Sequence, residues 1–203
     1  MKTLDIVLHG VLLAFGLILP LGVQNVFIFS QGATQPSLLK ALPATITAAI
    51  CDTVLILLAI LGLSLIILQI EGLRTVLMIA GILFLLYMSV SIWRSTPTET
   101  DEAKALPMKK QILFALSVSL LNPHAILDIV GVIGTSALKY SGFDLVLFTT
   151  SCIVVSWLWF FGLMFAGSRI RQLGNATAVM TFFNKSSAVF IFCMAIYLLF
   201  GVI

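Results

Sequence analysis

Apolar residues dominate six stretches of this chain, at roughly 5–30, 40–68, 73–94, 110–138, 144–167 and 181–202. A run of about 20 apolar residues crosses a bilayer as a helix, so the pattern predicts six transmembrane helices. Two of the stretches are interrupted. The first breaks at "ILPLGVQN", around Pro20, and the fourth at "LNPHAILD", around Pro123. Between the third and fourth lies the one long polar segment, "RSTPTETDEAKALPMKK".

That segment divides the chain into a first three-span half at 1–94, a connector at 95–109, and a second half at 110–203. Each half opens with a proline-broken span. About the same distance after each proline, the next span carries a polar residue, Asp52 in one half and Ser156 in the other. An odd number of spans per half makes the halves insert in opposite orientations. The predicted fold is therefore an all-α membrane protein of six transmembrane helices. It is built as two inverted three-helix repeats with broken helices 1 and 4, and its site lies near the bilayer midplane.

Composition agrees with a membrane setting. The 203 residues are 61% hydrophobic and 9% charged, against about 25% charged in a soluble domain. The net charge of +3 gives no reason to expect a nucleic-acid partner. Its distribution is informative, because cationic loops stay in the cytoplasm. Lys40, Arg94, Lys104, Lys109, Lys110, Arg169, Arg171 and Lys185 fall on one side, and Lys2, Arg74 and Lys139 on the other. The connector is thus expected in the cytoplasm and both termini outside. No small-residue cleavage site ends the first apolar stretch, which is read as a retained span.

Ionisable groups within a span are costly and mark function. Away from span ends the chain has three: Asp52, His124 and Asp128. His124 and Asp128 lie four apart, on one helical face, where a carboxylate can orient an imidazole or raise its proton affinity. The structural alternatives are a self-satisfied pair at the break and, for Asp52, a hydrogen bond to a neighbouring Ser or Thr. No Lys or Arg lies deep in a span, so converging aspartates would take up protons or attract a cation. Proline removes a backbone donor and Gly22 widens the backbone's options. Exposed backbone at membrane depth is tolerated where it lines a cavity. Gln24, Asn25 and Asn122 can bind such backbone groups or a ligand. The helix restarting after each break directs its positive end inward, suiting an α-carboxylate. Trp157, in the run "SWLWFFGL", is a candidate for covering a cationic side chain. Such a site suits an amino acid with a cationic side chain.

The segments "ILPLGVQNVFIFSQG", "AAICDTVLI", "LNPHAILDIVGVIG" and "SWLWFFGL" resemble the bacterial LysE family of amino-acid exporters, most closely its lysine/arginine branch. The resemblance implies an inner-membrane carrier expelling basic amino acids, driven by the proton gradient and needing no cofactor. It places the family's motif on Pro20, Gly22, Gln24, Asn25, Asp52, Asn122, Pro123, His124 and Asp128. One departure is Val23, where the family usually carries proline; this alters the first break and leaves lysine versus arginine open.

Two other readings compete. Cys51 and Cys152 lie in corresponding spans, as a membrane thiol conduit for electrons would require, although neither flanks a proline break. The third cysteine, Cys193, has no paired spacing with them. One intramembrane His and two Asp would also be a thin ligand set for exporting a metal ion. Small residues at helical spacing, Ala44 with Ala48 and Gly162 with Ala166, permit close helix contact within a subunit or in a homo-oligomer.

Overall fold

The computed structural model of the chain describes residues 3–19, 22–62, 71–94, 105–122, 126, 129–172 and 176–200. Pro20, Pro123, His124, Asp128 and most of the connector lie outside the described residues. All regular structure among the described residues is helical. In order come α1 (Thr3–Ile18), α2 (Val23–Thr34), α3 (Leu38–Ile60), α4 (Glu71–Arg94) and α5 (Met108–Leu120). A π-helical segment, Ile129–Gly134, then runs into the short α6 (Thr135–Ala137), followed by α7 (Gly142–Gln172) and α8 (Ala176–Phe200). α3 and α7 are each long and apolar enough to cross a membrane, and α1 with α2 passes the same test as a pair bent by 81°.

The bend follows from local chemistry. Gly22 adopts an extended backbone (φ −73°, ψ 171°) at the start of α2 and supplies no side-chain cap. Asn25 reaches back across the break, and its amide donates to the Ile18 carbonyl at 2.7 Å. That bond satisfies one of the carbonyls left open where a helix ends. The first apolar stretch is therefore two helices tied at their junction.

α7 organises the packing, touching α1, α2 and α3, while α4 packs chiefly on α8. Two glycines make the α2–α7 approach close enough. A Cβ on Gly32 would run into the Met164 backbone, and one on Gly167 into the Phe29 carbonyl. At the other end of the bent pair, a Cβ on Gly10 would lie 2.9 Å from the Phe148 carbonyl and from Ser151 Cβ. Both halves of the bent pair thus grip one continuous helix through small residues.

The small-residue pairs separate. Ala44 and Ala48 are fully buried in a cluster with Phe27, Ala115, Phe160 and Met164, so they serve contacts within the subunit. Gly162 and Ala166 lie on the outer surface, with open space beside Gly162.

Polar groups knit the two ends of the bundle. At one end, Gln35 Nε2 donates to Gln31 Oε1 and to the Leu106 carbonyl, both at 3.0 Å. Gln111 Nε2 donates to the same Leu106 carbonyl at 2.8 Å and to the Lys40 carbonyl at 2.9 Å. Arg171 closes the set by donating to the Gln35 carbonyl. At the other end, the Tyr140 hydroxyl pairs with His9 Nδ1 at 2.6 Å, and both rings rest against Phe148.

Candidate functional site

A cavity of about 120 Å³ lies between the break and α7. Its floor is Asp52 on α3, 8% exposed. Both carboxylate oxygens are engaged: Gln24 Nε2 donates to Oδ1 at 3.2 Å and Ser156 Oγ to Oδ2 at 2.9 Å. The three residues come from α2, α3 and α7, so the carboxylate sits where three helices converge. Ser156 follows Pro123 at about the distance at which Asp52 follows Pro20, and the two touch.

The first turn of α2 forms one wall. Gly22, Val23, Gln24 and Asn25 all line the cavity, and no side chain caps the helix. The opening amides of a helix have no intrahelical acceptors and carry its positive end, so this wall is complementary to an anion such as a carboxylate. Asn25 itself is held in place, bonding Ile18 and accepting from Trp159 Nε1 at 3.2 Å.

Asn122, just past the end of α5, lines the cavity opposite. Its Oδ1 is buried with no hydrogen-bond partner among the described residues. A buried acceptor left unpaired costs about 1–3 kcal/mol, and a donor on a bound solute would remove that cost. The rest of the wall is apolar, including Ile56, Leu85, Ile129, Phe160 and Ile191. Among the described residues no Lys or Arg lines it. The arrangement holds a negative carboxylate, an acceptor with no partner among the described residues and a positive helix end around one small volume.

Of the residues singled out in the sequence, Gly22, Gln24, Asn25, Asp52 and Asn122 meet here. Trp157 does not line the cavity: its Nε1 donates to Thr53 Oγ1 at 3.0 Å and its ring stacks on Phe161. The aromatic residues of the lining are Phe160 and Phe190. A helix turns about 100° per residue, so neighbours in an aromatic run face different ways. Cys152, Ser156 and Phe160 recur every fourth residue and share one face of α7, a spacing visible in the sequence. Cys152 lines the cavity beside Gly10, whose carbonyl is 3.6 Å from its Sγ. The His9–Tyr140 pair had no sequence signal, since 131 residues separate them.

The chain was also compared with known proteins. The family model described as LysE type translocator matches residues 15–201. A Bacillus subtilis (strain 168) protein, YisU, described as a candidate amino-acid transporter, is 50% identical over 201 residues, covering 98% of this chain and 90% of the relative. The arginine exporter protein ArgO of Escherichia coli (strain K12) is 33% identical over 160 residues, 76% of this chain and 74% of its own. ArgO of Pectobacterium carotovorum (strain PC1) is 30% identical over 182 residues, with 87% and 88% covered. No solved structure matches the chain. The apolar helices and a match running nearly end to end make this a multi-pass membrane protein, and it belongs to the family of LysE type translocators.

Proposed function

We propose that the protein is a secondary active exporter of cationic amino acids, arginine or lysine, across the bacterial inner membrane. The buried Asp52 carboxylate carries this reading, because it faces a cavity whose lining, among the described residues, includes no cation. An incoming ammonium or guanidinium supplies the missing positive charge, the first amides of α2 take the α-carboxylate, and Asn122 Oδ1 accepts from the α-ammonium. Likeness to proteins named as arginine exporters favours arginine as the first substrate to try.

The working architecture is six spans in two inverted repeats, 1–94 and 110–203, with both termini outside and connector 95–109 in the cytoplasm. Supporting it, segments assigned to the cytoplasmic side meet at one end of the bundle, around Lys40, Leu106 and Arg171. Transport then proceeds by rocking one half against the other around the cavity. Protons compete with substrate for Asp52 or Asp128, and His124 serves as their relay, so a proton entering from outside promotes release.

The test is efflux of labelled arginine and lysine from loaded cells, comparing the native protein with Asp52→Asn and Asp128→Asn. Asparagine keeps the shape and loses the charge. At an effective dielectric near 20, a charge pair about 4 Å apart is worth about 4 kcal/mol, so efflux should fall several-hundredfold while insertion is retained. Native efflux no faster than that of empty cells would overturn the substrate assignment. Efflux indifferent to uncoupler and to external pH would overturn the proton coupling.

A further inference from the structure

We propose that the groove between α4 and α8, at the Arg94 end, binds the headgroup phosphate of an anionic phospholipid, with an acyl chain lying along its apolar length. The site is separate from the Asp52 cavity and independent of which solute is carried.

The two helices run antiparallel here. Ser89 Oγ donates to the Ala188 carbonyl at 2.9 Å, and one turn along, the Lys185 ammonium sits 4.1 Å from the centre of the Trp93 ring. Lys185 Nζ also donates to the Trp93 carbonyl in the last turn of α4, where a helix end is negative. The groove they frame holds about 370 Å³ and is lined by Val90, Val189 and Phe192 along its length and by Trp93 and Arg94 at its end. Among the described residues no acidic side chain lines it. The Ser89 hydroxyl, which also lines the groove, is spent on Ala188. The charged groups described at the groove, Arg94 and Lys185, are both positive and both at one end.

An apolar trough ending in two cations is complementary to an amphiphile with an anionic head. Val90, Trp93, Val189 and Phe192 are all exposed on the outside of the bundle, so in a membrane they face lipid. Tryptophan marks the headgroup level, and basic pockets between transmembrane helices on the cytoplasmic side recognise anionic headgroups. An ammonium has three donors, and Trp93 takes one, leaving two for a phosphate. A zwitterionic lipid brings its own ammonium against Arg94 and Lys185 and fits less well. A second copy docked here about a twofold axis would set Arg94 and Lys185 against their own counterparts, which like-charge repulsion opposes.

The experiment is native mass spectrometry of the full-length protein in detergent, titrated with phosphatidylglycerol or phosphatidylcholine of the same acyl chains. Native protein should hold phosphatidylglycerol preferentially. Each cation near an anionic lipid is worth about fivefold in binding, so Arg94→Gln should cut the preference about fivefold and Arg94→Gln with Lys185→Gln about twenty-five-fold. Arg94→Lys should keep it, as should Lys109→Gln, which removes an exposed charge on α5. Millimolar inorganic phosphate should fail to displace the lipid. Any of four results overturns the proposal: no preference in the native protein, an equal loss in Lys109→Gln, an unchanged preference in Arg94→Gln, or a dimer that dissociates on Arg94→Gln in place of a lost lipid.

Discussion

Removing the Ser156 hydroxyl tests the centre of the site. Ser156→Ala deletes the 2.9 Å bond to Asp52 Oδ2 and leaves Gln24 as the remaining side-chain donor of the two. Both Ser156 and Asp52 are buried, so water cannot simply replace the hydroxyl. A hydrogen bond to a charged group contributes about 1.5–3 kcal/mol, and a neutral one about 0.5–1.5 kcal/mol. Ser156→Ala should therefore cost about 1.5–3 kcal/mol in the native background and only about 0.5–1.5 kcal/mol in Asp52→Asn. The stability of each variant in mixed micelles, titrated with a denaturing detergent, gives all four corners of the cycle. Contacting residues should be non-additive, with a coupling of about 1 kcal/mol or more. Arginine efflux should fall in parallel, about tenfold or more, because a carboxylate held from one side no longer presents a fixed charge. Equal costs in the two backgrounds would refute the reasoning, since Ser156 would then act on something other than the Asp52 charge.

Further outcomes follow from other contacts. Gly167→Leu should prevent a folded, monodisperse protein from being isolated, because the side chain meets α2 backbone, whereas Gly162→Leu, with open space around it, should not; size-exclusion profiles separate the two. Replacing Cys51 and Cys193 with alanine, with Cys152 kept in the cavity wall, should leave efflux within about twofold of native; its abolition would favour the thiol conduit, which needs Cys51. Tyr140→Phe should cost about 0.5–1.5 kcal/mol through the lost bond to His9, read as a lower melting temperature. Burial first, and then the Asp144 carboxylate, raise the Tyr140 phenol above its ordinary 10.0. Its contribution is thus fully present below pH 10 and lost as pH rises past it, so the native protein should lose more stability there than Tyr140→Phe.

The helical nature and approximate extents were legible because a membrane demands long apolar runs with internally satisfied backbone. The described helices fall on all six stretches read from hydropathy. Gln24, Asn25, Asp52 and Asn122 could be singled out for the complementary reason: polar groups are expensive at that depth. Which of them would meet was less accessible. Only Ser156 and Asp52 carried a hint, their matched positions in the two halves. Trp157 packs beside Thr53 and Phe161 instead of lining the cavity, because an aromatic run says nothing about which ring faces inward, whereas the four-residue spacing of Cys152, Ser156 and Phe160 does. The Gly32 and Gly167 contacts were invisible, since a glycine within an apolar helix reads the same whether it meets a neighbouring backbone or lipid.

The π-helical segment at Ile129–Gly134 has a consequence of its own. It lies against α3, where a Cβ on Gly134 would come within 3.3 Å of the Ala59 carbonyl. A π turn closes its hydrogen bonds one residue later than an α turn, so it stores a spare residue within the helix. Passing that residue along to the next turn rotates the intervening backbone by about 100°, like advancing a screw by one thread. At the end of the segment Thr135 Oγ1 donates to the Gly131 carbonyl, four residues back. Such a step would turn a different face toward α3 without unwinding the helix, and two residues of the segment, Ile129 and Ile133, are themselves part of the cavity wall.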